Sequence, residues 1–339
     1  ANTAVGVEAL TTVTTVGGNT AFGYQALKMN ETSNNTALGY QALRLNTTGN
    51  HQVAVGLQAL NANTTGVQNT AVGYQNLDAN TTGNNNTSIG AFTLGENTTG
   101  FQNVAVGNYA LDANTTAGNN TAVGYNSLGA NTTGTQNVAV GSVALDANTT
   151  GGNNTALGHG ALTSHTTGDN STAIGFAAGL VNTTGVITAV GSQALGANTT
   201  GNNNTAVGVS ALLNNTASNN TAVGHTALNL NTTGTQQTAM GGFALSSNTT
   251  GNYNQAFGYG ALTNNTTANY NSAFGYFALG ANTTGTFNTA LGRSSLNSNT
   301  SGGNNVAVGD VALGSNTTAT KNTAVGCSAM TNTTTGSGR

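Results

Sequence analysis

Ionisable side chains are nearly missing from this chain. Only 4% of its 339 residues are charged and the formal net charge is −3, whereas roughly 25% is usual in soluble domains. The five basic residues, Lys28, Arg44, Arg293, Lys321 and Arg339, are scattered. No basic stripe exists to neutralise phosphates, so nucleic acid is not an expected partner. Proline is absent, and Cys327 is the single cysteine, which rules out an internal disulfide. No apolar run reaches the length of about 18 residues that reads as a membrane span, and no basic amphipathic segment suggests a surface-lying helix.

The few reactive side chains form no constellation. Asp78, Asp112 and Asp146 share one phase of a repeat but recur in every second copy. At strand spacing that puts them about 9.6 Å apart, too far for one calcium ion to bridge. His51, His165 and the pair His159 and His225 fall at three different phases and read as solvated substitutions. Cys327 stands where other copies have Tyr24, Tyr40, Tyr74, Ser142 or Asp310, and reads as a tolerated replacement. The glycine-rich turns precede no helix whose N-terminus could take a phosphate. Neither an enzyme nor a cofactor nor a metal site is expected.

What the chain has instead is glycine (49 residues), asparagine, threonine and a regular apolar beat, with 37% of residues apolar. The beat is a small residue, a large apolar one, then glycine, as in Ala71-Val72-Gly73. Its glycines fall at 6, 23, 39, 56, 73, 90, 107, 124, 141, 158, 175, 191, 208, 224, 241, 258, 275, 292, 309 and 326. That is a repeat of 17 residues, shortened to 16 after Gly23, Gly175 and Gly208. Counting from this marker glycine as position 0, a large apolar residue stands at −1, mostly leucine at +4, alanine at −2 and mostly alanine at +3. The length changes fall in the Asn/Thr/Gly segment, which marks it as the loop.

Such a unit is too short for a useful helix, and Gly, Asn and Thr form helices poorly. The pattern predicts one short strand on Asn-Thr-Ala-Val-Gly, a second on the Ala-Leu block, and a longer turn at Asn-Thr-Thr-Gly. The two large columns lie five residues apart, so a bend must return both to one interior. This places Val72, Leu77, Val106, Leu111, Val123 and Leu128 in the core. One coil cannot fold alone. Burying a Val and a Leu yields about 3–6 kcal/mol, and ordering the unit costs on the order of 25 kcal/mol. Stacking copies so that each column becomes a ladder closes that gap.

The repeated Ser/Thr-Val/Ala-apolar-Gly-x-x-Ala pattern resembles the head repeats of YadA-like trimeric autotransporter adhesins. Asn-Thr-Ala-Val-Gly-Tyr-Gln-Ala-Leu is similar to arrays in phage and bacterial tail-fibre-like proteins. The resemblance implies a left-handed parallel β-roll and three chains packed side by side, with small residues such as Ala71 facing the threefold axis and Val72 in the roll core. The adhesin repeat is shorter, so the additional residues here enlarge the turn. Neither a stalk, an anchor barrel nor a self-cleaving chaperone is visible in the sequence.

The sharpest chemical signal is a column of Asn-x-Thr/Ser sequons at +7: Asn30, Asn46, Asn63, Asn80, Asn97, Asn114, Asn131, Asn148, Asn182, Asn198, Asn231, Asn248, Asn265, Asn282, Asn299 and Asn316, with Asn332 nearly in phase. In an outward turn these are N-glycosylation acceptors. The competing reading makes them turn formers and stacked amide ladders. Regular threonines also suggest ice binding, although Thr81 and Thr82 are adjacent in a turn and point in different directions.

The sequence therefore predicts an all-β parallel β-solenoid of about twenty coils, a single array over 1–339 with an atypical first coil over 1–17, assembling as a homotrimer. The function expected is that of a structural subunit of an extracellular fibre or surface filament, decorated with covalent glycans. It would be located outside the cell or on a cell or virion surface, with itself as partner, including head-to-tail growth. The alternatives are the shaft or head of an adhesin or tail fibre that binds a host surface, and an ice-binding solenoid.

Overall fold

The computed structural model describes residues 1–338; Arg339, one of the five basic residues, lies outside them. The chain is an all-β parallel β-solenoid of about twenty turns, with no helix among the described residues. It divides into two compact units, one covering Ala1–Asn170 and the other starting at Ser171. The first unit holds strands β1 (Thr3–Val5) to β10 (Thr155–Leu157), and the second β11 (Thr172–Ile174) to β20 (Thr323–Val325). Within each unit every strand pairs in parallel with that of the next coil, repeat position on repeat position. In β5 (Thr70–Val72), Thr70 lies opposite Val53, Ala71 opposite Ala54 and Val72 opposite Val55.

The marker glycine is fixed by two constraints at once. Its φ lies between 127° and 144° at all twenty copies, a region that side-chain-bearing residues avoid. A Cβ on Gly107 would also stand 2.5 Å from the carbonyl oxygen of Gly124 in the next coil. Gly73 meets Gly90 in the same way. The glycines thus sit on neighbouring rungs, and the chain turns its corner against its own copy.

The Ala-Leu block is not the second strand the spacing predicts. Gln75 and Leu77, at +2 and +4, have φ of 43° and 53°, so the backbone turns twice within three residues. A third left-handed residue, Asn85 at +12 with φ 58°, closes the coil. Left-handed leucine costs about 1–2 kcal/mol per residue. Full burial of the same side chain, 0% exposed at Leu77, Leu111 and Leu128, returns about 1.5–3 kcal/mol. Cross-coil bonding also continues through the turn, as Leu77 N donates to Thr93 O at 3.0 Å and Leu60 N to Asn76 O at 3.0 Å.

The interior of a coil is narrow. In the coil of Gly73 it holds Asn69, Ala71, Asn76, Leu77, Asn80 and Gly83, all buried. Val72, Val106 and Val123, expected in the core beside the leucines, are instead half-exposed. The reason is strand alternation: Asn69 and Ala71 point inward, so Thr70 and Val72 must point outward. For the same reason the alanine column faces the interior of its own coil, not an axis between chains. Where +3 is not alanine, its polar group finds a backbone carbonyl, as Thr93 Oγ1 does with Gly107 O at 2.7 Å and Asn76 Nδ2 with Gly90 O at 2.7 Å.

The three short coils lose their residue in two ways. After Gly23 and Gly208 the +10 position is dropped, and the turn asparagine bonds the carbonyl two residues on: Asn30 Nδ2 to Thr32 O at 2.6 Å, Asn215 Nδ2 to Ala217 O at 2.8 Å. After Gly175 no residue of the turn is left-handed. There the inward asparagine is replaced by Ile187, and the strand β12 lengthens to Ile187–Val190.

Candidate functional site

The sequon asparagines do not point outward. Asn30, Asn46, Asn63, Asn80, Asn97, Asn114, Asn131, Asn148, Asn182, Asn198, Asn231, Asn248, Asn265, Asn282, Asn299 and Asn316 are all 0% exposed. Asn80 shows why. Its Nδ2 donates to Asn63 Oδ1 at 2.8 Å in the preceding coil and to Gly83 O at 3.1 Å in its own turn. Its Oδ1 accepts from Asn97 Nδ2 at 2.9 Å. Both amide hydrogens are used inside the fold, so an N-linked sugar would have to replace one of them in a space with no solvent access. The outward turn predicted for these residues is thereby corrected to an inward amide ladder.

In the first unit the ladder runs from Asn30 to Asn148, with links of 2.7–3.1 Å. In the second it runs from Asn215 to Asn316, with links of 2.7–3.0 Å. Asn215 joins it without being a sequon, because Ala217 follows where a hydroxyl would be needed. Asn332 is exposed. It sits at +6 while Thr333 takes +7, and Asn316 Oδ1 is left without a partner. One residue out of phase is enough to leave the ladder.

A second inward amide column went unrecognised in the sequence. At −4, Asn69 Oδ1 accepts the backbone N–H of Asn86 at 3.0 Å, and Asn69 Nδ2 donates to Gly83 O at 2.8 Å. Gly83 O therefore takes donors from both columns, tying them into one polar half of the interior. Gln52 and Gln237 substitute in this column and reach Gly66 O and Gly251 O. The available signal was Asn-x-Ala on a strand, which puts Asn and Ala on the same face.

His165 is the other correction. It is not solvated but 0% exposed, occupying +7 in place of asparagine, with Nε2 2.9 Å from Gly168 O. Asn148 Oδ1, whose ladder donor would come from this position, has no partner.

The surface carries two further features. The threonine at +8 spends its hydroxyl on the next coil, as Thr81 Oγ1 donates to Thr98 O at 3.1 Å, while its neighbour at +9, such as Thr82, is exposed. Three of the eight acidic side chains are half-buried at +5, where desolvation first, then the charge of Glu96, pushes Asp112 above the ordinary carboxylate range; desolvation does the same for Asp78 and Asp146. At Glu8 the hydrogen bond from Lys28 Nζ, 2.6 Å, and then that from Gln25 hold the carboxyl below its usual value. Cys327 is exposed. Among the described residues no group of three or more His, Cys, Asp or Glu could hold a metal ion.

No protein-family model matches the sequence, and no curated protein is significantly similar to it. The likeness to adhesin heads and tail-fibre arrays thus stands at the level of a parallel β-solenoid repeat.

Proposed function

We propose that this chain is a structural building block of a fibre or surface filament outside the cell. The observation that carries the reading is the use of its repeated positions. Glycine at 0, alanine at −2, leucine at +4 and the asparagines at −4 and +7 all serve contact between one coil and the next. Residues repeated coil after coil for stacking make a stiff, extensible scaffold. The scarcity of charge and thiols suits an extracellular or virion-surface setting, and self-association side by side suits a filament; a trimer is the form the adhesin resemblance implies. The shaft of an adhesin or tail fibre is the same mechanical role with a binding tip attached. Sugar on the buried +7 column is not part of this reading, because those acceptor nitrogens are spent on the ladder.

Electron microscopy of the purified protein, paired with its intact mass, tests the proposal. Elongated particles or filaments with a chain mass of 33.3 kDa are expected. Dispersed compact particles would overturn the fibre reading, and glycans mapped by peptide mass to the buried column from Asn30 to Asn316 would overturn the buried ladder, whereas sugar on an exposed sequon such as Asn85 or Asn332 would not.

A further inference from the structure

The −1 column has no role inside the coil. In the first unit it presents one large apolar side chain per turn to solvent, with Phe22 53% and Leu38 46% exposed and Val72, Val106 and Val123 half-exposed. Beside it lie the outward residues at −3, where Val53, Val104 and Val138 replace threonine, and those at +1, among them Tyr40 and Tyr74. No Lys, Arg, Asp or Glu occurs in these three columns of the first unit. The unit does have charged residues, but they stand at +5 (Lys28, Arg44, Asp78, Asp112 and Asp146), +2 (Glu8), +6 (Glu96), +8 (Glu31) and +11 (Asp169). Charge has been kept off one face, not merely diluted.

We propose that this face of the first unit is where a second copy of the chain packs laterally. Two physical arguments choose the partner. The first is period: the ridge has one knob per coil, at the strand spacing of about 4.8 Å. A partner fills the gaps between knobs along the whole ridge only if it has the same repeat, and a second copy has it by construction. The second is area. With the valines, leucines and tyrosines half-exposed, the three columns offer roughly 800 Å² of apolar surface, about what each partner buries in a stable complex. Contiguous apolar surface of this size marks an interaction site, and the missing cations leave nothing to hold a lipid headgroup or an acidic partner. This rests on the fibre reading and assigns its lateral contact to the large apolar column, not to the alanines.

The test is the native mass of the whole chain at micromolar concentration, by sedimentation or native mass spectrometry. The wild type is expected at a multiple of 33.3 kDa. Val72→Lys with Val106→Lys and Val123→Lys puts like charges across the contact and should weaken association at least about a hundred-fold, leaving single chains. Val→Thr at the same three positions keeps the strand shape and should weaken it less, which guards against a lysine variant that fails to fold. Lysines at Thr82, Thr116 and Thr150, on the exposed turn, should leave the mass unchanged. A wild type that stays a single chain, or a folded lysine variant that keeps the wild-type assembly, overturns the proposal. If filaments persist by microscopy while the lysine variant still assembles, the lateral face is wrong and the fibre reading survives.

Discussion

The two halves of a single coil make opposite use of the same narrow interior. On the strand and leucine side, Ala71 and Leu77 fill space with hydrocarbon and make no directional demand. On the turn side, Asn69 and Asn80 fill it with amides that must each find partners in the coil before, the coil after and the shared carbonyl of Gly83. The apolar half supplies burial. The amide half supplies register, because a slip of one residue leaves buried donors and acceptors unpaired, as Asn332 and Asn316 show at the end of the array. Buried polar networks of this kind rigidify a fold only when every member is satisfied.

The strongest way to break the comparison is Asn80→Asp. It replaces a donor with a carboxylate that faces Asn63 Oδ1 and Gly83 O without a cation, and should cost about 3–5 kcal/mol in denaturant melts. Asn332→Asp, on an exposed side chain, should cost nothing measurable. Leu77→Ala tests the other half. It should cost about 2–4 kcal/mol with no change in register, since the neighbouring ladders hold the coils in place. His165→Asn runs the comparison backwards: it offers Asn148 Oδ1 the donor it lacks and should raise stability by about 1 kcal/mol.

The smallest effect concerns pH. Asp112 has its pKa raised in the folded chain, chiefly by desolvation. A carboxyl with a raised folded pKa binds its proton more tightly when folded, so its contribution is fully present below the unfolded value and is lost as pH climbs through the folded one. Asp112→Asn should therefore melt slightly higher than wild type at neutral pH. The difference should vanish as the pH falls below 3.8, the ordinary value for this group.

How much of this the sequence discloses depends on the column. The period, the strand at Thr70–Val72, the buried leucines and the glycine rungs follow from spacing alone, because each rests on a residue type with one dominant preference. Val72 does not. Its hydrophobicity argues for the core, and only its alternation with Ala71, the residue small enough for so thin an interior, puts it outside. Leu77 gives no hint of its left-handed backbone, which glycine or asparagine would have advertised; the coil accepts the strain because burial offsets it. Asn80 is ambiguous in principle, since Asn-Thr-Thr-Gly is a turn signal, a glycan acceptor and a ladder former at once. What separates the three is whether the amide has a copy of itself one coil away. The sequence also gives no notice of His165 as a buried residue, because a lone histidine in a polar turn normally stays in water.

The account turns on those amides being inside. Hydrogen exchange of the asparagine side-chain NH2 groups, followed by NMR, reads this directly. The Nδ2 protons of the column from Asn30 to Asn148 should exchange as slowly as the backbone amides of the leucine column, while those of Asn332 exchange at once. Rapid exchange along the whole asparagine column, at the rate of Asn332, would contradict the structure described here.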